Sequence, residues 1–422
     1  MQEPLSTDPY KGVRDFYPAD WARLQAIFTS VRTTLSLWGY EEYNASPLEL
    51  ASLYEAKTSE EIVNEQTYTF TDRGDRRVTL RPEMTPTLAR MVAAKRRELA
   101  LPLRWFSIPN VFRYERPQRG RLREHYQLNV DIIGLPEGAA DTEMISLVSA
   151  VMRSFGAQDS TFVIKINSRP LLNAACVAAG LEGEKVQDYL RFLDRKAKMT
   201  TEEFLTATGT LTSQDPLAII ENPVEGSAVA EEKQKLLDRI AQLQQAGVTN
   251  AVFNPHITRG FDYYTGMVFE VFDTDPSNAR SLFGGGRYDG LVALFGGDPI
   301  PAIGFGMGDV TLVDFLETHD LLARENAGAA QLYIGTPTVE DIPAAQSLAD
   351  TLRKAGTRVF VNLTPRSLGD QVKDALKRAV PLFLAYGRDE VTSGSIRVKT
   401  LATSTESTVS LAELQALLRD ER

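Results

Sequence analysis

Cysteine and histidine are both scarce in this chain. The single cysteine, Cys176, excludes an internal disulfide and a cysteine-ligated zinc site. The three histidines, His125, His256 and His319, are scattered, which argues against a histidine-rich metal site. We therefore expect no metal held by the protein itself, and any metal chemistry would have to rest on carboxylates.

Long apolar runs are also missing. No stretch approaches the roughly 18 apolar residues that a membrane span needs. The first residues, MQEPLSTDPYKGVRDFYP, have neither the apolar core of an export signal nor the arginine-rich pattern of an import signal. The sequence predicts a soluble protein without a membrane partner, located in the cytoplasm.

Several common motifs of nucleotide-binding and hydrolytic enzymes are absent. The sequence has no G-x-x-x-x-G-K-[ST] phosphate loop, no G-x-G-x-x-G after a strand, no H-E-x-x-H and no G-x-S-x-G. An ATP site in this chain must therefore be of another kind.

Acidic residues exceed basic ones, with a net charge of −10, but the charge is unevenly distributed. Between Arg104 and Arg123 there are six arginines and one acid, Glu115. From residue 331 to the end, twelve Lys/Arg and eleven Asp/Glu give 12 − 11 = +1. The net charge argues against a protein that coats nucleic acid non-specifically, but it does not exclude docking of a polyanion at a local basic surface.

The length of 422 residues predicts two or three domains. Apolar spacing predicts helices over 20–38 and 141–157. Two strands between Leu103 and Gly134 form a long hairpin around the polar segment RPQRGRLRE. In the second strand, HYQLNVDIIG, apolar and polar residues alternate. Gln127, Asn129 and Asp131 therefore share one face, which we expect to line a polar pocket.

The rest of the chain has three parts that differ in their predicted secondary structure. Residues from about 170 to 250 are rich in helical patterns, which we interpret as an insertion. Strand patterns return in RGFDYYTGMVFEVFD and in the glycine-dense segments FGGGRYDG and PAIGFGMGD, where the backbone is expected to pass close to a ligand. After a linker over 317–331, strands and helices alternate, which predicts a small domain with a largely parallel sheet.

Four local sequences together resemble the histidyl-tRNA synthetase family of class II aminoacyl-tRNA synthetases. They are LRPEMTPTLAR at 80–90, FRYERPQRGRLREHYQLNVDIIG at 112–134, RGFDYYTGMVFE at 259–270 and GGGRYDGL at 284–291. The start KGVRDFYP and the stretch VNLTPRSLGDQVKDALKRA are also similar to that family. A single F-R-x-E is weak, but RGFDYYTG together with FRYERPQRGR is specific, and the resemblance covers nearly the whole chain in the family's order.

The resemblance implies the fold and the activity. It implies an α+β class II synthetase catalytic domain over 1–325, an antiparallel sheet flanked by helices with a helical insertion at about 170–250. A C-terminal α/β anticodon-binding domain follows over 331–422. The segment 38–50, ending near Pro47, resembles motif 1 of class II, which usually lies at a homodimer interface. The implied reaction activates L-histidine with ATP and Mg²⁺ and transfers it to the 3′ end of tRNA(His).

The resemblance also implies the site residues. Arg113 resembles the class II arginine on the α-phosphate, and Arg259 resembles an arginine of this family on the other side of that phosphate; these two are the implied catalytic residues. Arginine suits both, because its planar fork of donors matches phosphate and carboxylate oxygens. The residues implied to bind histidine are Glu83, Thr85, Arg113, Gln127, Asp131, Arg259, Tyr263 and Tyr264. Those implied to bind ATP are Arg113, Glu115 and Arg121.

Within these sets the roles differ. Glu83, Thr85 and Gln127 match family positions for the amino group, and Asp131 and Tyr264 match those for the imidazole. We also expect Arg113 and Glu115 to share a strand face by period two. Such polar recognition discriminates strongly, because a wrong amino acid leaves buried polar groups unpaired.

Three positions depart from the family pattern. Met84 stands where many members have glycine, and Asp131 stands where many have glutamate, which shortens the reach to the imidazole by one methylene. Thr311 occupies the place of the motif 3 arginine that most class II enzymes direct to the γ-phosphate. We therefore have no motif 3 arginine, and Arg121 or Mg²⁺ must compensate.

Two other functions remain open from the sequence. One is a catalytically idle paralogue of this fold that serves as a regulatory subunit of ATP phosphoribosyltransferase, and the other is an RNA-binding adaptor. Each residue also has a plainer explanation: Arg113 and Glu115 suit a surface ion pair, and Tyr263 and Tyr264 suit a core or an edge strand. His125 and His256 are interpreted as structural. The joint occurrence of four motifs favours the enzyme.

Overall fold

The structure is a computed structural model that describes residues 5–55, 66–196, 199–259, 263–322 and 330–420. The chain divides into two compact units, residues 1–323 and 324–422. None of the described helices is long and apolar enough to cross a membrane.

The first unit contains a large sheet whose described strands number nine. They are β1 (Glu41–Glu42), β5 (Leu103–Ser107), β6 (Asn110–Phe112), β7 (Glu124–Ile133), β8 (Phe162–Ser168), β9 (Ala251–Phe253), β10 (Met267–Asp273), β11 (Ser281–Arg287) and β12 (Ala302–Gly308). Their order is β1-β5-β7-β12-β11-β10-β8-β9, with β6 paired to β7. The centre is antiparallel, as the sequence predicts, but β1 with β5 and β8 with β9 pair in parallel, so the sheet is mixed at both edges.

A small antiparallel sheet and ten helices complete what is described of this unit. The small sheet has the order β2 (Leu48–Leu50), β4 (Arg77–Leu80), β3 (Tyr68–Thr71). The helices are α1 (Pro18–Leu37), α2 (Ser52–Glu55), α3 (Thr85–Lys95), α4 (Ala139–Ser154), α5 (Arg169–Ala178), α6 (Glu184–Arg195), α7 (Thr201–Gly209), α8 (Pro216–Glu221), α9 (Ala228–Gln245) and α10 (Asp309–Thr318). Short 3₁₀ turns lie at Pro276–Asn278 and Val292–Phe295.

Helix α1 shows why the apolar spacing predicts this packing. Pro18 stands at its first position, where a missing N–H costs nothing. Leu24, Phe28, Val31 and Leu35 recur at three- and four-residue intervals, and all four are buried in the core between the sheet and α4. Helices α5 to α9 pack into the same core, so the helix-rich segment is continuous with the unit that holds the large sheet.

The hairpin that was predicted between Leu103 and Gly134 is interrupted in its first half. The segment LRWFSIPNVFRYE forms two strands, β5 and β6, because Ile108 and Pro109 separate them. Arg113 and Glu115 follow the end of β6, so the expectation that they share a strand face is wrong. The second half, β7, is a continuous strand of ten residues as predicted.

The second unit is an α/β fold. Its sheet has the order β14 (Val359–Val361), β13 (Leu332–Gly335), β15 (Leu382–Ala385), β16 (Ile396–Thr400), β17 (Thr405–Val409), and its helices are α11 (Ile342–Lys354), α12 (Leu368–Lys377), α13 (Arg388–Ser393) and α14 (Leu411–Asp420), with a 3₁₀ turn at Val339–Asp341. Strand β13 pairs in parallel with β14 and with β15. Strand β16 pairs antiparallel with β15 and with β17. The β17 strand and α13 were not predicted, because their segments are short and polar.

Candidate active site

A cavity of about 280 Å³ lies over the centre of the large sheet. Its walls come from β7, β11 and β12, from the loop after β6, and from Glu83, Thr85, Arg259, Tyr263 and Tyr264. All ten residues that the sequence singled out line it: Glu83, Thr85, Arg113, Glu115, Arg121, Gln127, Asp131, Arg259, Tyr263 and Tyr264. Residues more than 180 positions apart in the chain are therefore gathered into one polar cavity.

Three glycines on adjacent strands, Gly284, Gly304 and Gly306, line the floor of this cavity, and Gly286 lies beside them, next to the ring of Tyr264. Gly284 of β11 pairs with Gly306 of β12, and Gly286 pairs with Gly304. We call these four residues the glycine floor. A Cβ at Gly284 would lie 2.7 Å from Nη1 of Arg259, and one at Gly286 would lie 2.8 Å from the ring of Tyr264.

The same argument applies to the β12 side of the glycine floor. A Cβ at Gly304 would collide with the carboxylate of Asp131, and one at Gly306 would lie 3.1 Å from Cδ of Gln127. Each of these glycines thus leaves room for the side chain of one predicted site residue. The neighbouring backbone also requires glycine, since a Cβ at Gly284 would collide with the Phe269 carbonyl oxygen and one at Gly286 would lie 2.7 Å from that of Met267.

Glu83 lies at the inner end of the cavity, just before helix α3. It is 3% exposed, and its Oε2 accepts a hydrogen bond of 3.1 Å from the Tyr263 hydroxyl. The Tyr54 hydroxyl donates to the Glu83 carbonyl at 3.3 Å. A buried carboxylate held in this way is suited to an ammonium group, because a cation would neutralise it. The neighbouring Met84 is fully buried.

Arg259 is the cation of the opposite wall. Its Nη1 donates to Oε1 of Glu270 at 3.1 Å and its Nη2 to the Gly284 carbonyl at 3.2 Å, while its Nε is buried without a hydrogen-bond partner among the described residues. Its φ of 60° is unusual for a residue other than glycine, and Arg169 donates to its carbonyl at 3.0 Å. Burial lowers the pKa of Arg259, but Tyr264 and Glu270 more than offset this and raise it.

Arg113 and Arg121 enter the cavity from the segment between β6 and β7. Nε of Arg113 donates to the Pro82 carbonyl at 2.9 Å, and Arg121 pairs with Oε2 of Glu115 at 3.1 Å. Gln118 and Arg121 close a tight turn through two backbone hydrogen bonds, with Gly120 between them at φ 75°. The turn places Arg121 in the cavity wall, where it pairs with the carboxylate of Glu115.

Asp131 forms part of the wall formed by β7, with Gln127 and Asn129 on the same face. The Tyr288 hydroxyl donates to its Oδ1 at 2.5 Å. Burial raises the pKa of Asp131 to about 7, and the hydrogen bond from Tyr288 opposes the shift. Burial also raises the pKa of Tyr264, so this residue enters the site as a neutral hydroxyl.

Thr311 takes the place of the missing motif 3 arginine, and it lines the cavity. Its Oγ1 donates to the Leu282 carbonyl at 2.7 Å, and a Cβ at Gly120 would lie 3.5 Å from its methyl group. The turn at Gly120 therefore lies against the first turn of α10, close to where a longer side chain at position 311 would extend.

Asp309 does not face the cavity as a free carboxylate. It is 3% exposed, pairs with Nη2 of Arg14 at 2.7 Å, and accepts the Tyr126 N–H at 3.1 Å. No local sequence pattern pointed to Arg14, because it lies 295 positions from its partner. The pair joins the segment before α1 to the start of α10.

His125 was interpreted as structural, and the structure puts it in the cavity wall. Burial lowers its pKa to about 3, and the positive charges of Arg113 and Arg14 add to the shift. The ring is therefore neutral. Within the described part of the chain, no three His, Cys, Asp or Glu side chains lie close enough together to hold a metal ion.

Comparison with known proteins identifies the family to which this chain belongs. Residues 12–311 match the family model described as histidyl-tRNA synthetase, and residues 331–421 match one described as an anticodon binding domain. The chain belongs to the histidyl-tRNA synthetase family. The histidine–tRNA ligase of Leptospira biflexa is 39% identical over 439 residues, covering 100% of this chain and 99% of that relative.

More distant members of the family are also similar to this chain over most of its length. The chloroplastic/mitochondrial histidine–tRNA ligase of Arabidopsis thaliana is 35% identical, with 98% of this chain and 87% of the relative covered. The crystal structure of histidyl-tRNA synthetase from Nostoc sp. PCC 7120 superposes with a TM-score of 0.79 at 20% identity, covering 99% of this chain and 100% of that one. This synthetase therefore shares both the sequence pattern and the fold of the family.

Proposed function

We propose that this chain activates L-histidine with ATP to form histidyl-adenylate and transfers the histidyl group to the 3′ end of tRNA(His). The observation that carries the proposal is the cavity that joins the buried carboxylate of Glu83, the polar face of β7 with Asp131, and three arginines. An amino acid and the phosphates of a nucleotide require these groups side by side.

Separate residues bind the ammonium group and the imidazole ring of histidine. Glu83 accepts the ammonium group, with Thr85 and Gln127 beside it, and Tyr263 holds the carboxylate of Glu83 in place. Asp131 and Tyr264 serve the two ring nitrogens. Tyr263 and Tyr264 pack with ring centroids 4.9 Å apart, which fixes the wall against which the imidazole lies.

Adenylation then needs alignment and charge stabilisation rather than a protein nucleophile. A carboxylate oxygen of histidine attacks the α-phosphorus, the bond to the bridging oxygen breaks, and pyrophosphate leaves. Arg113 and Arg259 are the cations for the developing negative charge, and both are held by hydrogen bonds before any ligand arrives. The unpartnered Nε of Arg259 is a donor that an anionic oxygen would satisfy.

ATP is a substrate of the reaction, and Mg²⁺ accompanies it as its counter-ion. We assign Glu115 to the adenine amino group, Arg113 to the α-phosphate and Arg121 to the terminal phosphates. A polyphosphate in a closed site needs compensating charge, and Arg121 lies on the turn that packs against Thr311. In the second step, the terminal ribose hydroxyl of the tRNA attacks the carbonyl carbon, and AMP leaves.

The second unit is our candidate for the tRNA contact outside the active site. A groove of about 580 Å³ on it is lined by Arg388, Arg397 and Lys399 together with the acids Asp341, Asp389, Glu390 and Glu406, of which Glu406 pairs with Lys399 at 3.7 Å. Arg388 and Arg397 form no ion pair with any residue that the structure describes. The acids Asp341 and Glu390 accept backbone N–H groups at helix starts instead. Unpaired arginines beside an apolar wall suit an RNA backbone with unstacked bases.

We further propose that the enzyme is a homodimer that acts in the cytoplasm. Leu50, Val78 and Phe70 lie in register across the small sheet, and Leu50 and Phe70 are 53% and 49% exposed. This sheet includes the end of the segment that resembles motif 1. Leu50→Asp and Phe70→Asp together should shift the sedimenting species from dimer to monomer.

The alternative, a catalytically idle paralogue that serves as a regulatory subunit of ATP phosphoribosyltransferase, is supported only by the threonine at position 311. A non-catalytic chain has no need for the complete set of cavity arginines or for the second unit, and both are present. A generic RNA-binding adaptor would likewise have no use for a buried imidazole pocket.

The test is ATP–pyrophosphate exchange measured separately with each of the twenty amino acids. We expect exchange with histidine alone, followed by charging of tRNA(His). Exchange that does not depend on histidine, or none at all in a folded protein that binds ATP weakly, would overturn the assignment and favour the regulatory paralogue.

A further inference from the structure

The carboxylate of Asp131 occupies a confined position. On β7 it lies in register between Trp105 of β5 and Gly304 of β12, and it is 3% exposed. Its Oδ1 lies directly over Gly304, at a place where any larger residue would put its Cβ. The carboxylate is therefore drawn down toward the glycine floor rather than extended into the cavity.

Asp131 has no ion-pair partner within the described ranges, so no cation compensates its charge. The donor that holds it is the Tyr288 hydroxyl, at 2.5 Å from Oδ1. A buried carboxylate with a single neutral donor has lone pairs left for further hydrogen bonds, and leaving them unsatisfied costs free energy. The N–H of an imidazole is a donor that can satisfy one of them.

Tyr288 itself is held rigidly. It follows the last residue of β11, it is 3% exposed, and its N–H donates to the Ala302 carbonyl at 2.8 Å. Its ring packs edge-on against Tyr263 at 6.0 Å, and the next residue, Asp289, accepts the Ala302 N–H at 2.9 Å. The hydroxyl therefore cannot follow a ligand, and it fixes the position of Oδ1.

We propose that Tyr288 is a positioning residue for histidine selection: it holds Oδ1 of Asp131 over Gly304 so that the free edge of the carboxylate accepts the imidazole N–H. This inference rests on the proposed function. It also explains how the shorter aspartate serves where many relatives carry glutamate. A flexible carboxylate one methylene too short would bind imidazole poorly, whereas one held in a fixed orientation loses little conformational entropy on binding.

The test compares two tyrosine-to-phenylalanine variants of the full-length enzyme. Tyr40 is the matched control, because it is equally buried and donates to a carboxylate, Glu143 at 3.3 Å, outside the cavity. Losing a hydrogen bond to a charged group should raise the KM for histidine in Tyr288→Phe by about 10- to 100-fold, with the KM for ATP changed less than about twofold. Tyr40→Phe should leave both KM values at the wild-type level.

A second variant tests the hydrogen bond separately from the ring. Replacing Tyr288 with 4-aminophenylalanine keeps a donor at the same place, and it should return the KM for histidine to within about threefold of wild type. The proposal is overturned if Tyr288→Phe leaves the KM for histidine unchanged, if both KM values rise together, or if the folded 4-aminophenylalanine variant binds histidine no better than the phenylalanine variant. Absence of histidine-dependent exchange in the wild type would instead refute the proposed function.

Discussion

Arg259 and Glu270 form an ion pair of 3.1 Å in the cavity wall, with side chains only 16% and 22% exposed. The pair holds the guanidinium in the site before a phosphate is bound. A cation that is fixed in advance stabilises developing charge without reorganisation, which is the usual source of electrostatic catalysis. In the role that we propose for Arg259, the ion pair therefore holds the guanidinium in position before ATP binds.

Replacing that cation should abolish most of the first reaction. Arg259→Ala should lose roughly 2–4 kcal/mol of transition-state stabilisation in ATP–pyrophosphate exchange, as when a preorganised donor is removed. Its chemical denaturation curve should stay near that of wild type. Arg76→Ala, which removes an exposed arginine paired with Asp72, is the control. Exchange at the wild-type rate in Arg259→Ala would refute the assignment.

The turn of residues 118–121 supplies the second prediction. Arg121→Ala should raise the KM for ATP more than the KM for histidine, because no arginine stands at position 311 to hold the terminal phosphates. Arg116→Ala removes an exposed arginine of the same segment and should change neither value. If ATP dependence is the same in Arg121→Ala and wild type, another group must neutralise these phosphates.

The glycine floor predicts a separation of folding from binding. A Cβ at Gly306 meets only the flexible side chain of Gln127, so Gly306→Ala should fold normally but raise the KM for histidine by displacing Gln127. A Cβ at Gly285, on the other face of β11, would collide with the Gly304 carbonyl, so Gly285→Ala should destabilise the fold itself. Gly290→Ala, where nothing lies within 4 Å, is the control for both measurements. Equal thermal stability of all three variants would contradict this account.

The groove on the second unit predicts a loss confined to the tRNA step. The double variant Arg388→Ala, Arg397→Ala should raise the KM for tRNA(His) several-fold in charging assays and leave exchange unchanged. Arg353→Ala, which removes an arginine of α11 paired with Asp350, controls for the loss of positive charge. Unchanged charging by the double variant would exclude this groove as the docking site.

Asp131 predicts a pH dependence of stability in the ligand-free enzyme. Burial raises its pKa from 3.8 to about 7, so between these values the folded state binds a proton that the unfolded state has released. The free energy of unfolding of wild type should therefore fall relative to Asp131→Asn as the pH rises from about 4 to 7, and the difference should stay constant above that. Urea denaturation of both proteins at several pH values measures it. Parallel profiles would show that Asp131 titrates normally.

The sequence predicts some parts of this site much better than others. The alternation in HYQLNVDIIG was enough to place Gln127, Asn129 and Asp131 on one face, because a continuous strand has a fixed period. The same reasoning failed for Arg113 and Glu115. Pro109 interrupts the pairing and the strand ends before them, so their shared position in the cavity depends on the turn geometry.

Pairs of residues that are far apart in the chain could not be predicted from the sequence. Tyr288 and Asp131 are 157 positions apart, and Arg14 and Asp309 are 295 apart, so no local pattern connects them. The glycine-dense segments did signal close backbone approach. Which side chain each glycine accommodates became apparent only from the register of β11 and β12.

The glycine floor also bears on how inhibitors of this enzyme would fare under selection. Any amino acid that replaces glycine brings at least a Cβ, and at Gly284, Gly286 and Gly304 that atom would meet backbone or a site side chain at less than 3.0 Å. An inhibitor that rests its flat face on these residues would make its contacts with main-chain atoms, which a point mutation cannot remove. A resistance mutation at this surface would disrupt the substrate site of the enzyme itself. Resistance would therefore have to arise elsewhere in the protein or outside it.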